Sequence, residues 1–111
     1  MEHKIRIDLE GQVISVPEIG QDMYRFNLSN VAKGGVNDFT VYVKKKKDET
    51  VDVHKGDTVI IYGAGYFRKI DSNGIIASEN LTVGDDARIF VIRENNNEGF
   101  VDGKTFYLES R

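Results

Sequence analysis

Basic and aromatic side chains occur together in two stretches of the chain. Residues 23–47 contain six basic residues and one acidic residue, Asp38, although the 111-residue chain has a net charge of −3. A second stretch, residues 62–69, reads YGAGYFRK. An unpaired nucleic-acid strand needs cations that follow its backbone and flat rings on which its bases stack. The alternative interpretation is that the four consecutive lysines at 44–47 form only a solvated loop.

Alternation predicts which side chains of the first stretch share a face. In residues 22–30 and 38–45, apolar side chains alternate with polar or charged ones. If the apolar set, which includes Phe26 and Val41, faces the core, the other set gathers on the outer surface of two adjacent strands. That outer set comprises Arg25, Asn27, Thr40, Tyr42 and Lys44. Tyr42 is the best candidate for stacking, flanked by Arg25, Lys44 and Lys46.

The second stretch adds three candidate rings, Tyr62, Tyr66 and Phe67, and two candidate phosphate contacts, Arg68 and Lys69. Each has an alternative structural role, and for Phe67 that role is a position in the core. Core positions are also expected for Phe26, Phe39 and Phe90, and a structural role is expected for Tyr107.

Short alternating runs separated by Gly, Asn and Asp predict an all-β barrel or sandwich, because no segment has a convincing helical period. The centre of this pattern is residues 55–63, KGDTVIIYG. Lys55-Gly56-Asp57 is typical of a tight turn, the β-branched residues after it are typical of a buried strand, and Gly63 begins a corner. Together they predict the wall of a small closed barrel.

The remaining runs predict strands that wrap onto this wall. The first strand covers about residues 4–16, with Gly11 interpreted as a bulge and Pro17 as its end. A loop is expected at about 30–37, and the connection 46–54 has room for a single helical turn. The central strand is expected to run from 57 to about 70.

A hairpin turn is predicted at Asn73-Gly74, a pair that readily takes the positive φ angles of a primed turn. The return strand covers about 75–83, and its core candidates are Ile75, Ile76, Ala77, Leu81 and Val83. A further strand is predicted at 87–93. Residues 100–108 are interpreted as a final hairpin, which would serve as structural cover or in self-association.

Several kinds of chemistry are excluded or disfavoured. The absence of cysteine excludes disulfides, thiolate metal sites and cysteine nucleophiles. His3 and His54 have no third ligand at a suitable spacing, so no metal site is expected. Asp57 is interpreted as a turn residue, and no phosphate-binding loop or nucleophile elbow is present. We therefore expect no enzymatic activity and no cofactor.

The location of the protein is also predicted from what the sequence lacks. The first residues, MEHKIRIDLEG, contain no apolar signal region, and no stretch approaches the roughly 20 apolar residues of a membrane span. An intracellular, cytoplasmic protein without membrane contact is expected.

In its strand order and motifs the chain resembles the OB-fold single-stranded DNA-binding protein family. The matching pieces are LEGQV at 9–13, FNL at 26–28, FTVYV at 39–43, KGDTVIIYG at 55–63 and ASENLTV at 77–83. The resemblance implies one domain: a five-stranded OB-fold barrel at about 4–84, with a C-terminal strand and β-hairpin extension at 85–111. OB-folds bind oligonucleotides or oligosaccharides across their second and third strands.

Two departures from that family are visible. The sequence ends at Tyr107-Leu108-Glu109-Ser110-Arg111 without the long acidic tail of the cellular bacterial members, and the helix between the third and fourth strands is reduced. Both departures fit a minimal variant encoded by a phage, a plasmid or another mobile element.

The leading hypothesis is therefore a non-enzymatic protein that binds single-stranded DNA with little sequence preference, in replication or recombination. Two alternatives remain open: an OB-fold protein–protein interaction module, such as a phage structural or replisome accessory component, and an RNA-binding OB protein. Because uncovered sheet edges invite pairing, a homo-oligomer, either a dimer or a tetramer, is expected.

Overall fold

The computed structural model describes residues 5–32 and 35–92, and all regular elements in these two ranges are β-strands. The strands are β1 (Ile5–Val13), β2 (Glu18–Ile19), β3 (Met23–Ala32), β4 (Gly35–Lys44), β5 (Thr58–Ile70), β6 (Ile76–Val83) and β7 (Arg88–Ile92). Among the described residues there is no helix of the length and apolarity that crossing a membrane requires. The hairpin predicted at 100–108, including Tyr107, lies outside the described residues, as do His3 and Lys33.

Five of the strands close into a barrel, which confirms the predicted all-β, five-stranded OB-fold architecture. They are hydrogen-bonded in the order β1-β3-β4-β6-β5, and β5 pairs back onto β1. All these pairings are antiparallel except β4 with β6, which is parallel. The two extra strands lie at the sides: β2 pairs with β3, and β7 pairs with the first half of β5.

The core is formed by the side chains that alternation assigns to the inner face. Within β3 and β4 the fully buried rings and aliphatic chains follow a period of two, because successive side chains of a strand point to opposite faces. The largest fully buried side chains among the described residues are Tyr24, Phe26, Leu28, Ile61 and Leu81 of the barrel and Ile89 of β7. This alternation also fixes which side chains of the same strands face outward.

Of two glycines with predicted roles in the barrel, Gly11 differs from the prediction and Gly63 agrees with it. The register irregularity between β1 and β5 lies not at Gly11 but at Asp8, which faces two residues of β5, Tyr62 and Gly63. There the Asp8 carboxylate accepts a hydrogen bond of 2.8 Å from the Gly63 backbone amide. Gly11 is instead a position of close approach, since a Cβ atom there would lie 2.6 Å from the Ser29 carbonyl oxygen. Gly63 has a φ of 72°, which allows the bend in β5 that was predicted.

The turn at the tip of the β5–β6 hairpin also differs from the predicted primed type. Gly74 is the one residue of this turn with positive φ, whereas a primed turn at Asn73-Gly74 would need positive φ at both residues. The Gly74 amide donates to the Asp71 carbonyl at 3.0 Å, and the Asp71 carboxylate accepts hydrogen bonds from the Asn73 and Ile75 amides. This arrangement is a type I turn followed by a glycine bulge.

Four further expectations differ from the structure in detail. Of the predicted core residues in the return strand, only Leu81 and Val83 are buried; Ile75, Ile76 and Ala77 are exposed because the hairpin extends past the barrel. Phe90 is half-buried on the outer side of β7. The expected loop at 30–37 is largely paired strand, with Asn30 opposite Asn37, and the connection 46–54 forms a turn without helix.

Candidate nucleic-acid interface

The pairing of β3 with β4 brings the five predicted outer residues together on one surface. Arg25 lies opposite Tyr42, Asn27 lies opposite Thr40, and Lys44 follows two residues after Tyr42 on the same side of β4. Tyr42 and Thr40 are half-buried, while the other three are exposed. We call the surface formed by Arg25, Asn27, Thr40, Tyr42 and Lys44 the Tyr42 face.

The Tyr42 face continues across β6 onto the second half of β5. Thr82 pairs with Tyr42 on one side and with Gly65 on the other, and Asn80 links Thr40 to Phe67 in the same way. Phe67 is 41% exposed, so its ring is accessible, which excludes the core alternative. Lys69 follows Phe67 on the same side of the strand, and both therefore extend the predicted surface.

Tyr66 and Arg68 point to the opposite side of β5, so the structure does not bring these two candidates onto the Tyr42 face. The Tyr66 hydroxyl donates a hydrogen bond to the Glu79 carboxylate, and its ring packs edge-on against Phe39 at a centroid distance of 6.5 Å. The hydrogen bond to Glu79, followed by partial burial, raises the pKa of Tyr66 above its ordinary value. These contacts indicate a structural role for Tyr66.

Tyr62 lies on a different wall of the barrel. Its partner across the sheet is Arg88 of β7, and its ring meets Phe90 edge-on at a centroid distance of 5.8 Å. The ring is 46% exposed. We call the outer surface formed by Ile60, Tyr62 and Phe90 the Tyr62 face; it is built by β5 and β7 instead of β3 and β4.

The cations of the Tyr42 face are held in ion pairs at the surface. Arg25 pairs with Glu18, and the Lys44 Nζ atom lies 2.7 Å from a carboxylate oxygen of Asp85. The hydrogen bond to Glu18, then the charge of Glu18, and then a hydrogen bond with Tyr42 raise the pKa of Arg25 above its ordinary value. Because both pairs are exposed, each contributes little to stability, so a phosphate can replace the carboxylate.

The four lysines at 44–47 do not form a uniform basic stripe. Lys45 is buried, and its ammonium group donates to the carbonyl oxygens of Gln21, Lys46 and Lys47 at 3.1–3.3 Å. Lys45 therefore ties the end of β4 to the chain before β3. Lys44, Lys46 and Lys47 are exposed, so three of the four remain on the surface.

Two depressions mark where a ligand would lie on the Tyr42 face. One of about 270 Å³ is lined by Ser15, Glu18, Arg25, Phe26, Asn27, Thr40 and Tyr42. The other, of about 250 Å³, shares Asn27 and Thr40 with the first and extends between Ile14 and the β5–β6 hairpin at residues 77–79. The Ser15 hydroxyl accepts a hydrogen bond of 2.8 Å from the backbone N–H of Asn27, and this bond holds the β1–β2 connection beside the groove.

Three polar residues near this surface were missed by the sequence reasoning: Arg6, Ser15 and Thr82. Alternation in the first strand already places Arg6 outside, between Ile5 and Ile7. Its position beside Gly65, however, depends on the register of β1 against β5. Nothing in the local pattern gives that long-range register, and the same holds for Thr82.

No group of three or more potential metal ligands occurs in the parts of the chain that the structure describes. His54 contacts Asp52 at 3.1 Å, and Asp57 closes the predicted turn by accepting a hydrogen bond from the His54 amide at 2.7 Å. Comparison of the chain with models of known protein families and with curated proteins finds no match.

Proposed function

We propose that the protein binds single-stranded DNA on the Tyr42 face, without enzymatic activity. The observation that carries the proposal is the register of β3 and β4, which sets the half-buried ring of Tyr42 between two exposed cations, Arg25 and Lys44. In chain order β3 and β4 are the second and third strands of the barrel, the pair on which OB-folds hold oligonucleotides.

In this proposal the strand lies along the groove, with one base stacked on Tyr42 and phosphates exchanged onto the cations. Asn27 and Thr40 in the groove supply polar contacts to the strand. The Thr40 hydroxyl donates a hydrogen bond of 3.5 Å to the side-chain oxygen Oδ1 of Asn27. Phe67 offers a second ring further along the same surface, with Lys69 beside it. Stacking accepts every base, so little sequence preference is expected.

A fluorescence titration tests the proposal. A labelled oligo(dT) of 30–40 nucleotides is titrated with the protein at two salt concentrations, beside a duplex and an oligo(rU) of equal length. Tight, salt-sensitive binding to oligo(dT) and weak binding to duplex are the expected results. Failure to bind oligo(dT) at low salt would reject the proposal, and preferential binding of oligo(rU) would replace it with RNA binding.

A second candidate function, a protein interaction module that includes self-association, is favoured by the tip of the β5–β6 hairpin. Ile70, Ile75 and Ile76 are all exposed there, and adjacent exposed apolar side chains often mark a contact with another protein. Light scattering of the wild type and of Ile75→Lys checks it. If the tip joins copies of the chain, the wild type has the mass of a dimer or tetramer and the variant a smaller one.

A further inference from the structure

A cleft of about 500 Å³ adjoins the Tyr42 face at the far end of β6. Its walls are the start of β1, residues 65–67 of β5 and the end of β6. Two cations, Arg6 and Lys44, line it together with the exposed ring of Phe67 and with Thr82. Lys44 and Phe67 already belong to the function proposed above, but Arg6 is not among the predicted binding residues, and the function proposed above gives it no role.

The turn between β6 and β7 supplies a carboxylate to each of the two cations. The Lys44 Nζ atom donates to Asp85 at 2.7 Å, and the Arg6 Nη2 atom donates to Asp86. A hydrogen bond of 3.0 Å from Nη1 of Arg6 to the Gly63 carbonyl holds the guanidinium in place. Two consecutive acidic residues thus each hold one of the two cations that line the cleft.

Carboxylate oxygens and phosphate oxygens are interchangeable partners for these cations. Arg and Lys donate charge-assisted hydrogen bonds to either anion. Both ion pairs are exposed, so water screens them and each contributes little to stability. The carboxylates can therefore be displaced by an anion that brings additional contacts, such as a base that stacks on Phe67.

Sheet register connects the cleft to the Tyr42 face. Tyr42 pairs with Thr82, Thr82 with Gly65, and Gly65 with Arg6, so one continuous line across four strands joins Tyr42 to Arg6. Because neighbouring strands lie about 4.8 Å apart, the path around the barrel from Tyr42 to Arg6 is about 14 Å. A strand that leaves Tyr42 along this line enters the cleft.

We propose that the cleft is a phosphate-binding site for the same single-stranded DNA, in which Asp85 and Asp86 act as internal competitors of the phosphate. The inference rests on the function proposed above. DNA that reaches the cleft takes Lys44 from Asp85 and Arg6 from Asp86, while a base lies against Phe67. The acidic turn thereby lowers the affinity for DNA and makes release faster.

The double variant Asp85→Asn/Asp86→Asn tests the inference, with Glu10→Gln/Asp52→Asn as the matched control. The control also removes two exposed negative charges, but neither of its residues lines the cleft. At low salt the test variant should bind oligo(dT) about three- to tenfold more tightly than the wild type, whereas the control should gain much less. Equal gains in the two variants would overturn the inference, since overall charge would then explain the effect.

A second variant, Arg6→Gln, tests whether Asp86 of the acidic turn competes with DNA for Arg6. It should weaken binding in both backgrounds: by a smaller factor in the wild type, where the phosphate contact is offset by loss of the Asp86 pair, and on the order of threefold in the Asp85→Asn/Asp86→Asn background, where it should remove much of the gain. Equal effects in both backgrounds would contradict competition at Arg6. Melting curves of every variant check that the fold is kept.

The two proposals fail in different ways. If the wild type binds oligo(dT) and the test variant binds no more tightly than the control, the competition is refuted and the Tyr42 face stands. If neither the wild type nor the test variant binds at low salt, both proposals are refuted. Binding by the test variant alone would support the competition but reject DNA binding as the function of the wild type.

Discussion

The Tyr42 face and the Tyr62 face each present a tyrosine on the outer wall of one barrel, but their surroundings differ. The Tyr42 ring lies beside Arg25 in a groove that the β1–β2 connection borders. The Tyr62 ring lies against Phe90 and half-buried Ile60, on a wall built with β7. The first setting has two cations, polar groups and a depression together, whereas the second ring packs against apolar side chains and has Arg88 opposite it on β7.

This difference shows that exposure alone does not define a stacking site. By exposure Tyr62 is the more accessible ring, and a search for exposed aromatics would choose it. A bound strand also needs cations along the path of its backbone, and at Tyr42 these are Arg25 on the neighbouring strand β3 and Lys44 on β4 itself. The proposed DNA binding is therefore placed on the Tyr42 face, and the Tyr62 face is expected to serve in packing.

The two faces should differ most in how the affinity for oligo(dT) responds when the tyrosine ring of each face is removed. Tyr42→Ala should weaken binding to oligo(dT) by about 1–3 kcal/mol, the value of one stacked base, and Tyr62→Ala should leave binding unchanged. Fluorescence titration of both variants, with melting curves as a check of folding, measures this. Equal losses in the two variants would abolish the distinction between the faces.

A methyl group added at Gly11 is expected to destabilise the protein, because Gly11 lies in β1, which pairs with β3 on one side and β5 on the other. A Cβ at position 11 would meet the Ser29 carbonyl and the Leu28 side chain at 2.6 Å and 2.8 Å. Gly11→Ala should therefore lower the free energy of unfolding by about 1–3 kcal/mol, as measured by chemical denaturation.

The control for Gly11→Ala is Gly84→Ala, whose Cβ would lie 3.7 Å from Asp86 and which should be nearly neutral. If Gly11→Ala is as stable as the wild type, the close approach of β1 and β3 is not maintained in solution.

A smaller effect on affinity is expected from Arg25→Gln. Loss of one phosphate contact should reduce the slope of log K against log salt by about 1, with a modest decrease in affinity at low salt. The matched control is Arg88→Gln beside Tyr62, which should leave the slope unchanged. A decrease with Arg88→Gln, but not with Arg25→Gln, would place the phosphate path on the Tyr62 face.

The smallest effect at neutral pH is expected beneath the Tyr42 face, at Tyr24. This ring is fully buried, and its hydroxyl has no hydrogen-bond partner within the described part of the chain. Tyr24→Phe should therefore keep the free energy of unfolding or raise it by up to about 1 kcal/mol, without a change in DNA affinity. A clear loss of stability would show that the hydroxyl has a partner.

At alkaline pH, Tyr24→Phe and the wild type should differ in how much stability they lose. Burial, with a smaller contribution from the charge of Glu49, raises the pKa of Tyr24 well above its ordinary value of 10.0. The folded state thus disfavours the tyrosinate, and its stability falls once the pH exceeds the pKa of the unfolded chain. Denaturation at pH 8 and pH 11 should show a smaller loss for Tyr24→Phe than for the wild type.

Alternation and turn residues predicted an all-β barrel or sandwich and the composition of the Tyr42 face, and the resemblance to the OB-fold family supplied the five-stranded barrel. The period of two that buries Phe26 and Val41 also puts Arg25 and Tyr42 outside, and that reasoning needs only local sequence. The glycine at position 11 was misinterpreted because a bulge and a close approach of another strand have the same local signature. Only the packing of Leu28 and Ser29 against β1 distinguishes them.

What could not be predicted depends on contacts between distant parts of the chain. Lysines 44 and 45 are adjacent and identical, yet one is exposed and the other is buried among three carbonyl groups. The pairing of Arg6 with Asp86 spans 80 residues and follows from barrel closure. Burial at the β5–β6 tip was predicted wrongly because the hairpin extends beyond the core that its isoleucines were expected to join.

Mapping of amide chemical shifts during titration with a short oligo(dT) tests the central claim most directly. If DNA binds on the Tyr42 face, the largest changes should occur at Arg25, Asn27, Thr40, Tyr42 and Lys44, while Ile60, Tyr62 and Phe90 should be little affected. Changes concentrated on the Tyr62 face, or no changes at saturating oligonucleotide, would contradict it.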